Sequence, residues 1–346
     1  MKKAMTGAHV AEKLGLGDVP LAWLAKLEEA RPAADLPVPN PDALSVLLAR
    51  LSVAREDLAE VLETMPSPER DPELWWLLER SHNVFVSSLA SRENQPSGEP
   101  IPPPVPEALR LFTVHLILVS IAAILQRQQE FGVPDDISWE TLSWLGRAMS
   151  TYRAKQGKIG VSLAGWDWLR FSAWLYQVGR LEVTPYWLLT HPQEAGPLFW
   201  YDEQTADQLG PGHKKGAAAL SLHIPALGPL TAEACSESLC RMQTAFNKIQ
   251  PGGPPRIATC TSWMLDEQLA EYLPYDSNIR DFQRRFTLVP GARDNDDWIL
   301  RAVFGAERPQ GLDALPQRTT LERAVVGHLR QGRHWRMRTG WLQLAQ

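Results

Sequence analysis

Near residue 161 the apolar pattern of this chain changes period, and that change limits its architecture more than any other feature. Before it, apolar residues recur at helical spacing, as in Leu44, Leu47, Leu48 and Leu51 after Pro41. Asn40-Pro41 and Asp71-Pro72 each set a capping side chain ahead of a proline whose missing N–H is harmless in a first turn. Further helices are expected from about Glu107 to Gln129, then from a cap at Ser138, and onward through Tyr152. After the change, an aromatic-rich helical stretch ending at Gly179 leads into short runs that read as strands. These are Leu181 to Leu189, Pro197 to Tyr201, Ala218 to Ile224, Arg256 to Thr261, Phe286 to Val289 and Asp297 to Phe304. Helical patterns at Thr231 to Lys248, Leu265 to Tyr272 and Thr319 to Gly332 accompany them, and the last residues read as a short tail. The expected fold class is α+β, with a helical N-terminal domain at 1–160 and a mixed α/β domain at 161–346.

Length and charge narrow the function classes. At 346 residues two domains are a better expectation than a single core. A net charge of −5 gives no electrostatic basis for a nucleic-acid partner. A DNA-binding helix-turn-helix over Val10 to Leu24 would also need a clustered Lys/Arg surface that the sequence lacks. Cys235, Cys240 and Cys260 are too few and too irregularly spaced for a disulfide framework or a zinc site, so reduced thiols, a cytoplasmic location and no metal are expected. The N-terminus has no apolar signal core. The uncharged run Leu111 to Leu125 is shorter than the ~20 residues of a membrane span and is read as a core helix, with no membrane insertion. Between Arg92 and Pro106 a Pro-, Ser- and Gly-rich stretch reads as an extended connector.

In an alternating strand, Ala219, Ser221 and His223 share one face while Leu220, Leu222 and Ile224 share the other. The imidazole is therefore expected on the small, polar face, where an open cleft is cheapest to build. Past Pro225, Thr231 is the expected N-cap of the next helix, whose free N–H groups make Gly228, Leu230 and Thr231 a candidate anion site, with Glu233 opposing an anion there. Arg280, Arg284 and Arg285 are candidates for the missing positive charge, although a solvated helix face accounts for them equally well.

Three runs carry a family resemblance: LSLHIPALGPLTAEACSESL at 220–239, CTSWMLDEQLAEYLPYDSNIRDFQRRF at 260–286 and LPQRTTLERAVVGHLRQG at 315–332. They resemble the GNAT-like C-terminal domain of actinobacterial acyltransferases. The likeness is dense from about Val161 to Gly332 and architectural before that. It implies an N-acyltransferase that carries an acyl group, long-chain by expectation, from acyl-CoA to an amine of a small molecule. An aminosugar of a natural product such as a glycopeptide antibiotic is the preferred acceptor. The chain lacks the usual Gln/Arg-x-x-Gly-x-Gly/Ala loop, and Ala226-Leu227-Gly228-Pro229-Leu230 stands in its place.

The resemblance gives those residues work. Thioester aminolysis needs a neutral amine, a donor for the developing oxyanion and a proton for the thiolate. His223 has the intrinsic pKa of a general base, acting directly or through a water, while a structural histidine bonded to a carbonyl is the plain alternative. Two neighbouring strands are expected to part and admit pantetheine as a surrogate strand, which the match places at Leu222 to Ile224 and at Thr259, Cys260 and Thr261. Tyr272 is the preferred proton donor to the thiolate, ahead of Tyr275, Ser277 and Cys260. Cys260 as a nucleophile is disfavoured because no His or Asp lies near it in sequence. Of the 14 tryptophans, Trp168 and Trp263 are expected to wall the substrate pocket, and Glu182, Asp202 and Asp266 are candidates to orient the amine. The acceptor is expected in a cleft between the halves. The rival is a non-catalytic protein that senses acyl-CoA or another amphipathic metabolite.

Overall fold

The structure is a computed structural model that describes residues 5–17, 19–30, 36–89, 103, 105–163, 165–187, 203–214, 216–247, 253–305 and 311–344. The chain divides into two compact units, Met1–Tyr176 and Gln177–Gln346. This division lies beyond the expected 160/161 boundary. The reason is local: Trp168 and Phe171 pack into the helical core, Trp168 edge-on to Phe85 at 5.7 Å and to Phe171 at 6.1 Å.

The first unit is helical, as expected: α1 (Gly7–Leu14), α2 (Leu21–Glu29), α3 (Pro41–Arg50), α4 (Leu58–Glu63), α5 (Pro72–Ser88), α6 (Phe112–Glu130), α7 (Asp135–Leu142), α8 (Trp144–Gln156) and α9 (Gly165–Phe171). Asn40 caps α3 by accepting from the Ala43 N–H at 2.9 Å. Ser138 is not a cap; α7 starts at Asp135 after Pro134, whose fixed φ suits a helix entrance, and Ser138 is buried inside it. The aromatic-rich helix also ends earlier than expected, at Phe171. The extended connector of 92–106 lies mostly outside the described residues.

Helix α6 is long and apolar enough to span a membrane by length and composition, yet most of it is buried within the unit. Leu116, Ile117, Leu118 and Ile124 are fully buried, each contributing roughly 1.5–3 kcal/mol by leaving water. It packs against α5, where His82 Nδ1 meets Ser120 Oγ at 2.9 Å. His115, on the same helix, is 2% exposed. Its Nε2 lies 3.3 Å from the Val61 carbonyl and its Nδ1 has no partner among the described residues. Burial of the imidazole pulls its pKa down to about 4.

The second unit is built on a mixed sheet of seven strands among the described residues. Its elements are β1 (Tyr176–Val178), β2 (Leu181–Trp187), α10 (Glu203–Leu209), β3 (Ala218–His223), α11 (Ala232–Phe246), β4 (Ile257–Ser262), α12 (Asn278–Arg284), β5 (Thr287–Leu288), β6 (Arg293–Asp294), α13 (Asp296–Phe304), α14 (Thr320–Arg330) and β7 (Arg336–Gln343). The strand order is β1-β2-β3-β4-β7-β5, with β6 also on β7. Only β3 and β4 run parallel in the registers described, joined by the crossover helix α11.

Two sequence expectations give way here. Asp297 to Phe304 is not a strand but lies within α13. Asn295 caps it by accepting from the Trp298 N–H, two aspartates favour its first turn, and Gly305 ends it in the left-handed region at φ 69°. The tail expected after Gly332 is instead β7, paired to β4 from Ile257↔Gln343 through Ser262↔Arg338. The strand expected at Pro197 to Tyr201 lies outside the described residues.

Two stability outcomes follow from the first unit. Gly146 donates its N–H to the Leu51 carbonyl at 3.1 Å, and a Cβ there would meet Ser52 O at 2.0 Å. Gly146→Ala is expected to cost about 2 kcal/mol or more in denaturant unfolding, because backbone atoms must move. For His115, the unfolded chain takes up a proton near pH 6.5 that the folded chain refuses until about 4. The first unit should therefore lose up to about 3 kcal/mol as pH falls through that window, and none above it. His115→Leu should remove that component from unfolding curves recorded between pH 4 and 7.

Candidate active site

The site grows from the way β3 meets β4. Their parallel ladder runs Ala219↔Ile257, Leu220↔Ala258, Ser221↔Thr259 and Leu222↔Cys260, and there it stops. Strand β3 continues to His223 and β4 to Ser262, so the ends of the two strands lie beyond their shared pairing. Pro225 follows closely and brings no N–H to extend a ladder.

Alternation then sorts the side chains. Leu220, Leu222, Ala258 and Cys260 lie on one face and are all 1% exposed or less. The opposite face is apolar at one end, where Ala219 and Ile257 pack with Val289, and polar at the other. On β2, Glu182 is directly opposite His223. On β7, Thr339 is directly opposite Thr261. His223 and Thr261 are the next residues after the last β3–β4 pair. The result is a row of Glu182, His223, Thr261 and Thr339 across four strands, with the end of the β3–β4 pairing at its centre.

Distances in and beside the row are short. Thr184 Oγ1, next along this face of β2, lies 3.2 Å from His223 Nε2, and Thr261 Oγ1 lies 2.9 Å from Thr339 Oγ1. His223, Thr261 and Thr339 are half-buried, whereas Glu182 is 1% exposed. The imidazole thus stands on the polar face, as expected from the sequence, with a buried carboxylate across from it.

Next to this row lies the turn before α11. Thr231 caps the helix, accepting from the Ala234 N–H at 3.2 Å, and Gly228 adopts φ 44°, a conformation natural to glycine. Sequence reasoning passed over Arg180, which braces this turn. Its Nη1 donates to the Pro225 carbonyl at 3.0 Å and its Nε to the Pro229 carbonyl at 3.2 Å. The hairpin of β1 and β2 puts it there: Gly179 sits at φ 62°, and Ser238 of α11 accepts from the Arg180 N–H at 2.8 Å. Burial lowers the pKa of this guanidinium, and it pairs with no carboxylate among the described residues. The signal available in sequence was only a lone arginine in a two-residue turn.

The three arginines singled out in sequence behave differently from one another. Arg285 donates to the Ala232 carbonyl at 2.9 Å and to Ser236 Oγ at 3.0 Å, so it borders the first turn of α11. Arg284 lies over Tyr275 at 4.5 Å and pairs with Asp281. The guanidinium of Arg280 has no partner among the described residues.

Other expected site residues are placed elsewhere. The Tyr272 hydroxyl is 2.9 Å from His328 Nδ1, and its ring meets His328 and Trp335 rather than any residue of the row. Trp263 is 6% exposed in an apolar cluster with Leu269, Leu273 and Trp335. Trp168 belongs to the core of the first unit. Protein side chains surround both indoles. Burial pushes the Cys260 thiol up to about 12, so it is no nucleophile near neutrality. Asp266 is fully buried and is held by Arg336 Nη2 at 2.8 Å. Asp202 lies outside the described residues.

Comparison with known proteins matches residues 42–173 to the N-acyltransferase N-terminal domain and residues 175–342 to the GNAT-like C-terminal domain. No curated protein matches the chain. Among solved structures, the chain is 37% identical to an acyltransferase in complex with decanoyl-CoA and teicoplanin, at a TM-score of 0.78, covering 99% of this chain and 100% of that one. It is 36% identical to a mutant acyltransferase in complex with octanoyl-CoA, at a TM-score of 0.76, with 99% and 100% coverage. The similarity spans both units, and the chain belongs to this family of N-acyltransferases with a helical N-terminal domain and a GNAT-like C-terminal domain.

Proposed function

We propose that this enzyme moves a fatty acyl chain from coenzyme A to the amine of an aminosugar on a glycopeptide antibiotic. The observation that carries the reading is a half-buried imidazole, His223, at the end of β3, one residue past the last β3–β4 pair and opposite the buried Glu182. In this reading β3 and β4 part past their last pair, Leu222↔Cys260, and an extended pantetheine arm offers its amides to the backbone there. The donor is acyl-CoA, in keeping with relatives solved with decanoyl-CoA and octanoyl-CoA. Teicoplanin in one of those complexes supports a glycopeptide acceptor. Reduced thiols and a buried apolar helix support a cytoplasmic location.

The residues divide the work by position. His223 takes a proton from the attacking amine, and Glu182, facing the same side from β2, steadies the imidazolium that forms. Leu222, Ile224, Thr259, Cys260 and Thr261 border the pantetheine arm. Gly228, Leu230 and Thr231, with the N–H groups of the first turn of α11, receive the pyrophosphate. Arg180 supplies the charge that the missing glycine-rich loop does not, because among the described residues its guanidinium bonds only to neutral carbonyls. Tyr272 reaches the thiolate only if its bond to His328 is given up, so His223 returning its proton is the simpler route.

Mixing the enzyme with decanoyl-CoA and a deacylated glycopeptide should release free CoA thiol and yield an amide by mass spectrometry. His223→Ala should lower kcat roughly 10²–10⁴-fold while calorimetry gives an unchanged affinity for decanoyl-CoA; near-normal turnover would remove the base from this position. Arg180→Ala should instead weaken decanoyl-CoA binding roughly tenfold or more, the size of a charge-assisted hydrogen bond, and leave the KM of the acceptor alone.

A further inference from the structure

We propose that Thr261, oriented by Thr339, donates a hydrogen bond to the thioester oxygen as negative charge builds on it. This rests on acyl transfer at the parting of β3 and β4, and it assigns a side-chain oxyanion donor to that site.

The argument begins with counting hydrogens. Each threonine hydroxyl carries one O–H and two acceptor positions. At 2.9 Å the two oxygens share one hydrogen, and that bond is the only one made by either hydroxyl among the described residues. One O–H of the pair is therefore left over. Thr261 borders the parting, while Thr339 lies one strand further away on β7. With Thr339 donating to Thr261, the spare O–H belongs to Thr261. It then leaves the sheet on the face that carries His223, from the matching position on the neighbouring strand. A thioester bound there has the imidazole on one side and a preoriented O–H on the other. A hydroxyl already accepting a hydrogen bond is the better donor.

The electrons balance without further reagents. The amine lone pair forms the N–C bond, the carbonyl π pair moves onto oxygen, and His223 takes the amine proton. On collapse the oxygen pair re-forms the carbonyl, the C–S bond breaks, and sulfur leaves with that pair and receives the proton from the imidazolium. Thr261 keeps its proton throughout. A thiol with a pKa of about 8.5 is a far stronger acid than an alcohol, so Thr261 donates a hydrogen bond and not a proton. A preorganised donor of this kind needs no reorganisation during the step.

A cross-strand Thr–Thr pair can equally be a structural contact, so the test separates stability from turnover. Thr261→Val should lower kcat roughly 10²–10³-fold, at every pH across the profile, with the decanoyl-CoA dissociation constant within about threefold of the parent by the same calorimetry. Thr261→Ser should restore kcat to within about an order of magnitude, because the donor returns. Thr339→Val should cost far less than Thr261→Val, because Thr261 keeps its own hydrogen. The proposal is overturned if Thr261→Val turns over near the parent rate, or if Thr261→Ser is as slow as Thr261→Val. It is overturned equally if the loss in kcat is matched by the loss in decanoyl-CoA affinity. His223→Ala at normal rate with Thr261→Val slow would remove the base and leave the oxyanion donor standing. The reverse pair of results would do the opposite.

Discussion

The parallel contact between β3 and β4 sets the conditions for the rest of the second unit. A parallel pair needs a long crossover, and α11 supplies it, carrying its capped N-terminus back to the end of β3 where His223 stands. Because only four residue pairs are joined, the sheet is held together on either side by antiparallel neighbours, β2 and β7. Those neighbours also bring the outer members of the polar row, Glu182 and Thr339. The β3–β4 pairing ends where one face of the sheet is lined by His223, Thr261 and Thr339.

What the sequence disclosed followed from local chemistry. Asn40 and Thr231 are caps in both readings, since a side-chain oxygen before a helix has few other uses. The strand at Ala218 to His223 and the polar side of its imidazole were readable because alternation depends on the backbone alone. Apolar periodicity was a weaker guide. Asp297 to Phe304 has the composition of a strand, but Asn295 and Gly305 close a helix around it. The last residues read as a tail, yet they form β7, where Arg336 and Arg338 pair with Asp266 and Glu267, contacts that no local window contains.

The site residues divide along the same line. The face on which His223 stands was readable because its strand alternates. Thr339 and Arg180 were passed over because their contacts depend on which element lies beside which. Trp168 and Trp263 were singled out for size, and size is what cores recruit first. Tyr272 was favoured by analogy, whereas His328 claims its hydroxyl.

The position of β7 also bears on how the enzyme is made. It follows every other strand of the sheet in sequence, yet it lies between β4 and β5. While the chain is emerging from a ribosome, Ile257 to Ser262 must wait with one edge bare until residues 336–343 arrive. The helical unit has everything it needs well before then. The catalytic half is therefore the late and sticky part of synthesis, an open strand edge that invites the wrong partner until its last neighbour docks.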